Sequence, residues 1–242
     1  MTKRAPYEWP PAGIILCHMS KERLVVMVKD PARGQVKTRL AADLGDRLAE
    51  TLYRCFVADI LKTLRGSPHN CTVAFSPPGS RKSIEEWLGK DTSLIEQAGS
   101  HLGARMKNLF LSLFHEGCSR VVLMGSDIPD LPGEIIKEAF LRLKEEDGVI
   151  GPAADGGYYL IGFRKSGFFP DVFEGIEWST DRVYEETIRL FSEKRCRFSV
   201  LPVWNDVDTV QDLRVLFLRH ENTSFRQSDT IACILEHKGK IF

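Results

Sequence analysis

The chain has 242 residues, and its 33 basic and 33 acidic side chains give a formal net charge of zero. A chain of this length buries one sizeable core, and a neutral balance argues against a nucleic-acid partner, which excess positive charge would favour. No run of about 18 apolar residues occurs and no signal peptide is evident, so we expect a cytoplasmic protein without a membrane span. The six cysteines lie far apart, which predicts free thiols.

Strand-like and helix-like segments alternate along the chain. An apolar run at 24–28 predicts the first strand, and a helical stripe follows over 36–64, interrupted at Gly45. The later predicted segments are strand 71–75, helix 102–114, strand 120–125, helix 134–144, strands 148–150 and 158–163, helix 179–194, strand 198–203, and a helical remainder with a polar break at 221–224.

This alternation predicts an α/β fold with an open, mostly parallel sheet and helices on both faces. No internal repeat or linker-like stretch divides the chain. We therefore expect one domain over residues 23–242, ending in a helical tail, and an N-terminal extension over residues 1–22.

Directly after the first predicted strand, the segment 29–40 reads K-D-P-A-R-G-Q-V-K-T-R-L. A strand, a turn with one glycine and a helix start can aim backbone N–H groups and cations at a polyphosphate. Its four cations are Lys29, Arg33, Lys37 and Arg39. The lysine is displaced from its place in a Walker A loop, and no G-x-G-x-x-G follows any strand, so neither of these common nucleotide sites is expected.

Acidic residues follow three other predicted strands, where ligands of open α/β sheets bind. Asp127 and Asp208 are predicted to converge on Mg²⁺ beside a polyphosphate, although each also fits a helix N-cap. Asp206 is an alternative to Asp208 that spacing does not separate. The turn Asp155-Gly156-Gly157 suits either a tight connection between strands or the close approach of a ligand.

Two further groups of residues allow a functional and a structural interpretation. Arg105, beside Gly103 at a helix start, fits an anion contact or a solvated surface arginine. Four aromatic residues fit an acceptor pocket or the core: Tyr158, Phe168, Phe169 and Trp178.

Together these motifs resemble one family. K-x-P-x-x-G-x-V-K-T-R-L, L-G-x-R-M (102–106), G-S-D-x-P-D-L (125–131), G-P-A-x-D-G-G-Y-Y-L-I-G (151–162), W-x-T (178–180) and D-V-D-T-x-x-D-L (206–213) occur in order. They look like radical-SAM/selenodomain-associated transferase 1, a branch of the nucleotide-diphospho-sugar transferase superfamily with the glycosyltransferase-A fold. The chain departs at Ser179, where glycine is commoner, and at the single Gly34, where better understood relatives have two or more glycines.

The resemblance implies roles for individual residues. By position, Arg33, Gly34, Lys37 and Arg39 would bind phosphates. Lys29, Gly103 and Arg105, singled out from the residues themselves, complete the expected phosphate-binding set. Asp127 and Asp208 would hold Mg²⁺ (or Mn²⁺), and Asp155, Gly156 and Gly157 would lie beside the acceptor. Lys37, Asp127 and Asp155 are the expected catalytic residues.

Two activities suit these residues. The first is Mg²⁺-dependent nucleotidyl transfer from a nucleoside triphosphate to a small phosphorylated acceptor, which the density of cations favours. The second is glycosyl transfer from a nucleotide-diphospho-sugar, with Asp155 as base. Most such enzymes carry D-x-D, a spacing that 126–130 lacks and that occurs here at an unusual place, 206–208. A non-catalytic nucleotide-binding protein is a third interpretation. The acceptor, the base preference and the oligomeric state are not encoded in any motif.

Overall fold

The computed structural model describes residues 22–31 and 36–242. Its strands are β1 (Glu22–Lys29), β2 (Asn70–Ser76), β3 (Leu94–Glu96), β4 (Arg120–Met124), β5 (Gly148–Pro152), β6 (Tyr158–Arg164) and β7 (Phe198–Val200). Its α-helices are α1 (Thr38–Leu44), α2 (Asp46–Leu64), α3 (Arg81–Leu88), α4 (Leu102–His115), α5 (Gly133–Arg142), α6 (Val183–Glu193), α7 (Val210–Arg219), α8 (Asp229–Glu236) and α9 (Lys238–Ile241). Short 3₁₀ segments span Lys165–Gly167, Pro170–Phe173 and Ser224–Gln227.

The strands form one sheet in the order β3-β2-β1-β4-β6-β5-β7. Strand β6 is antiparallel to β4 and β5, and every other neighbouring pair is parallel. The carboxyl ends of β1, β4, β5 and β7 therefore meet at one edge of the sheet, where β6 begins. The predicted fold class, an open and mostly parallel sheet, is confirmed.

Helices cover both faces of this sheet, as the consecutive buried residues 24–26 of β1 require, because successive side chains of a strand point to opposite faces. Leu24 and Val26 pack on one side with residues of α2, α3 and α5, and Val25 packs on the other with α4 and α6. A third apolar cluster joins α1 and α2 to α7, α8 and α9. Among the residues that the structure describes, no helix is long and apolar enough to cross a membrane.

Several boundaries differ from the sequence-based prediction. Helix α6 begins at Val183 because Ser179 has φ 68°, outside the helical region. Strand β7 ends at Val200, and Pro202 lacks the N–H that would extend the ladder. Helix α3 and strand β3 were not predicted, since both are too short for a clear periodicity. Glu22, which the prediction placed in the N-terminal extension, belongs to β1.

The five cysteines within the described part of the chain are free thiols, as expected. Residues 1–21, and with them Cys17, lie outside the described residues.

Candidate active site

A cavity of about 750 Å³ opens at the edge where the carboxyl ends of the parallel strands meet. Its volume lies within the range of small-molecule sites. Of the residues that the structure describes, four cations and five carboxylates line it: Lys29, Lys37, Arg39 and Arg105, and Asp127, Asp155, Asp181, Asp206 and Asp208. The cavity thus collects side chains from most of the motifs that the sequence singled out.

Lys37 joins two of those motifs directly. Its Nζ lies 2.5 Å from Oδ1 of Asp127 and 2.8 Å from Oδ1 of Asp208. It also donates a hydrogen bond of 2.8 Å to the carbonyl oxygen of Val207. The lysine side chain is only 3% exposed, whereas those of Asp127 and Asp208 are 43% and 37% exposed. The ammonium therefore lies beneath two carboxylates that face the cavity.

Charge is unevenly distributed around this cluster. Burial lowers the pKa of Lys37, but the charges of Asp127 and Asp208 outweigh it and raise the pKa overall, so the ammonium stays protonated. Burial and then the charges of Asp127, Asp155 and Asp208 raise the pKa of Asp206 to about 7, against the opposing effect of Lys37. One buried cation does not balance the carboxylates at this end of the cavity.

Backbone contacts hold the two acidic loops together. The N–H of Val207 donates to the carbonyl oxygen of Asp127 at 2.8 Å. Helix α7 is capped by Thr209, whose side chain forms a capping box with Asp212, and the Asp212 carboxylate also accepts from the N–H of Asp208. Helix α5 begins after Pro132. Neither Asp127 nor Asp208 is therefore a helix cap, and both carboxylates are available to a ligand.

Tyr53 and Gln97 line the same cavity, although no motif or spacing predicted that either belongs to the site. The hydroxyl of Tyr53 accepts from the N–H of Lys29 at 2.9 Å and shares a hydrogen bond with Ser126 at 3.0 Å. Tyr53 lies among the apolar residues of α2, and such a position is typical of a core residue rather than of a site residue. Gln97 follows β3, so only recognition of that short strand would have placed it at the ligand-binding edge.

The Asp155 turn is both a tight connection and part of the cavity wall. Oδ1 of Asp155 accepts from the N–H of Gly157 at 2.9 Å, and both residues line the cavity. Gly156 has φ 90°, and a Cβ there would lie 2.0 Å from the carbonyl oxygen of Asp181. The glycine at position 156 is thus required by backbone packing, whatever the acceptor.

The other predicted residues fall into three groups. Lys29, Arg39 and Arg105 line the cavity, and Nε of Arg105 donates to the carbonyl oxygen of Gly99 at 3.3 Å. Gly103 leaves room for the indole of Trp178, since a Cβ would lie 2.3 Å from that ring. Arg33 and Gly34 lie outside the described residues.

The four aromatic residues divide between the cavity and the core. Tyr158 and Trp178 line the cavity, and both also pack against the apolar cluster under α4. Phe168 and Phe169 belong to that cluster and pack against Phe163. The interpretation as core therefore holds for the two phenylalanines, and the other two side chains border both environments.

The carboxylates of the cavity are possible ligands of a divalent cation. No three histidine, cysteine or acidic side chains within the described ranges are arranged to hold a metal by themselves. Mg²⁺, however, commonly takes one or two carboxylates and completes its shell with substrate phosphates and water. Asp127 and Asp208, which share the ammonium of Lys37, are the two carboxylates that could hold such a metal. The residues fit a metal that arrives with phosphates.

Comparison with known proteins defines first the class of fold and then the family. A candidate nucleotide-diphospho-sugar transferase from Desulfovibrio desulfuricans G20 is similar to 92% of this chain, over 97% of its own length, with 44% identity and a TM-score of 0.89. A cytidylyltransferase from Leptospira borgpetersenii serovar Hardjo-bovis covers 92% of this chain and is itself covered over 97%, at 15% identity and a TM-score of 0.51. The inositol-1-phosphate CTP transferase from T. maritima covers 85% and is covered over 98%, at 17% identity and a TM-score of 0.51.

The two more distant structures share the fold, which is that of nucleotide-diphospho-sugar transferases and cytidylyltransferases. The sequence profile of an uncharacterized protein family conserved in bacteria, DUF2064, matches residues 57–180, half of the chain. The protein belongs to this family. No curated protein matches this chain. The narrower resemblance to radical-SAM/selenodomain-associated transferase 1 stays a prediction.

Proposed function

We propose that the protein is a metal-dependent nucleotidyltransferase that uses a nucleoside triphosphate and a small phosphorylated acceptor. The observation that carries the proposal is the contact of Lys37 with both Asp127 and Asp208. It brings a cation of the basic segment 29–40 and two carboxylates from separate strand ends to one point of a ligand-sized cavity. The names of the Leptospira and T. maritima proteins, which share the fold, agree with this activity.

In this reaction an oxygen of the acceptor phosphate attacks the α-phosphorus of the triphosphate. The bond from the α-phosphorus to its bridging oxygen breaks, and the electron pair leaves with pyrophosphate. Mg²⁺ held by Asp127 and Asp208 would neutralise phosphate charge and make the phosphorus more electrophilic.

The residues of the chain bind and orient the reactants, and the reaction needs no nucleophilic side chain. Lys29, Lys37 and Arg39 would offset the charge of the leaving pyrophosphate, because all three line the cavity. Asp155 and Arg105 line the same cavity, and the acceptor would bind beside them. Arg105 would contact an acceptor phosphate, and Trp178 would limit its size.

Glycosyl transfer from a nucleotide-diphospho-sugar is the second candidate. It is favoured by the printed name of the D. desulfuricans protein, which is 44% identical to this chain. Asp155 would then act as base toward an acceptor hydroxyl. Its Oδ1 already accepts from the N–H of Gly157, so only Oδ2 is open to this role.

The two candidates differ in the group that leaves. The protein would be incubated with Mg²⁺, each nucleoside triphosphate in turn, and a panel of sugar phosphates, polyol phosphates and phosphorylated acids. Pyrophosphate release that depends on one acceptor supports nucleotidyl transfer. Nucleoside diphosphate release from nucleotide sugars, with no pyrophosphate from any triphosphate, would replace it with glycosyl transfer.

A further inference from the structure

The ammonium of Lys37 has no donor left for a substrate. An ammonium carries three N–H groups, and three acceptors surround this one: Oδ1 of Asp127, Oδ1 of Asp208 and the carbonyl oxygen of Val207. The side chain is almost fully buried. Lys37 therefore contacts a phosphate only after it gives up at least one of these bonds.

The same carboxylates are the metal ligands of the proposed reaction. A divalent cation bound to Asp127 and Asp208 would lie within a few ångströms of the ammonium, where like charges repel strongly. Lys37 and the metal are therefore alternative partners of the same two carboxylates, and either cation offsets their negative charge.

The backbone at Lys37 points the same way. It has φ 51° and ψ 49°, a left-handed conformation that costs a non-glycine residue free energy, and it immediately precedes α1. Such conformations persist where surrounding contacts hold them. Here the three bonds of the ammonium act beside the bond from the N–H of Ala41 to the carbonyl oxygen of Lys37, so the conformation loses part of its support when the ammonium moves.

From this geometry we infer that Lys37 is an internal cation that occupies the metal carboxylates until metal and phosphates arrive together. The inference rests on the proposed use of a metal and a nucleotide. A metal alone must break the bonds of the ammonium to the two carboxylates and brings no new acceptor for it. A metal that arrives with a polyphosphate supplies the anion that the displaced lysine contacts. Metal and phosphate therefore bind with positive coupling, and Lys37 transmits it.

The test is the affinity for Mn²⁺ alone, measured from the electron paramagnetic resonance of the free ion. Because Lys37→Met removes the cation that competes for the two carboxylates, it should bind Mn²⁺ at least about tenfold more tightly than the wild type. Lys29→Met removes the same charge from an exposed position in the same cavity, and its affinity should change less than about threefold. Unchanged or weaker binding by Lys37→Met would overturn the inference.

Two further variants keep the test decisive. In Lys37→Met combined with Asp127→Asn the gain should disappear, and a gain that persists would place the metal elsewhere and overturn the inference. If Lys37→Met does not fold, Lys37→Gln replaces it, and 5 mM Mn²⁺, about a saturating concentration for such a site, should raise its melting temperature more than that of the wild type. An equal or smaller rise overturns the inference.

Inorganic tripolyphosphate with Mn²⁺ separates this inference from the proposed function. Lys37→Met should bind the mixture more weakly than the wild type, although it binds Mn²⁺ alone more tightly. If the wild type does not bind the mixture at all, the proposed function fails, whereas the Mn²⁺ titrations still report whether Lys37 competes for the carboxylates. If the variant binds both probes more tightly, the function stands and the coupling through Lys37 is wrong.

Discussion

Asp127 and Asp130 lie in the same loop after β4, and their surroundings are opposite. The side chain of Asp127 is 43% exposed to the cavity and contacts one cation that is itself shared with Asp208. The side chain of Asp130 is fully buried and accepts from Nε1 of Trp204 at 3.0 Å, from Arg219 at 3.2 Å and from Nε2 of His220 at 2.8 Å. Only Asp127 retains room for a ligand.

The buried contacts of Asp130 place the ligand-facing carboxylates. Trp204 belongs to the loop that leads to Asp208, and His220 ends α7. Asp130 thereby ties the loop after β4 to the loop after β7, and the Val207–Asp127 backbone bond completes the connection. One short motif thus exposes one carboxylate to the cavity and buries another in the framework that positions it.

The largest expected effect is on stability, at Asp130. Asp130→Ala should lower the free energy of unfolding by about 3 kcal/mol, because it leaves a buried indole N–H and two buried or half-buried basic groups without their acceptor. Urea denaturation measures the loss. Asp171→Ala, which removes an exposed ion pair with Lys194, should cost less than about 0.5 kcal/mol. Equal costs would show that the Asp130 contacts do not hold the loops.

Asp127→Asn should have the opposite profile. Its fold should remain within about 1 kcal/mol of the wild type, because Lys37 keeps Asp208 and the Val207 carbonyl. Its affinity for a nucleoside triphosphate in Mg²⁺ should fall at least about thirtyfold, or about 2 kcal/mol. Calorimetric titration and urea denaturation measure the two quantities. A variant that is strongly destabilised but binds with the affinity of the wild type would assign Asp127 to the framework and not to the ligand site.

A smaller effect is expected at Arg39, which lines the cavity from an exposed position. Arg39→Gln should weaken nucleotide binding about fivefold at low ionic strength and less at high, because salt screens exposed charges. Arg47→Gln removes an exposed cation of α2 that does not line the cavity, so it should leave the affinity unchanged. An identical response of both variants would make Arg39 part of the general surface charge.

The smallest effect is expected at the rim of the cavity, where Ser179 has φ 68°. Ser179→Gly should raise the free energy of unfolding by about 0.5 kcal/mol, since glycine adopts this conformation without strain but loses more entropy on folding. Ser100→Gly, at an exposed residue without a positive φ, should lower stability slightly. Melting temperatures compare them, and a destabilised Ser179→Gly variant would contradict the account.

The sequence alone predicted those features that depend on the local pattern of residues and on the order of the strands. The apolar runs at 24–28 and 120–125 predicted strands, and the polar residues after them predicted which edge of the sheet carries the site. In the family that the motifs resemble, glycine is commoner at position 179, and the positive φ of Ser179 gives a physical reason for that preference. Such features follow from residues close in the chain.

Contacts between segments that are far apart in the chain could not be predicted from the sequence pattern. No periodicity shows that Lys37 reaches Asp208, or that Tyr53 leaves the apolar stripe of α2 to contact Ser126. The buried acceptor role of Asp130 depends on Trp204 and His220, which are far along the chain. Spacing alone left Asp127 and Asp208 equally suited to helix caps, and only the observed ends of α5 and α7 excluded that role.

The central claim is that the cavity binds a nucleotide through a metal held by Asp127 and Asp208. Its most direct measurement is the calorimetric titration of the wild type with each nucleoside triphosphate, in Mg²⁺ and again in excess chelator. We expect at least one triphosphate to bind in Mg²⁺ and its affinity to fall at least about thirtyfold in chelator. Binding of the same strength in both solutions would contradict the metal, and no binding of any triphosphate would contradict the proposed function.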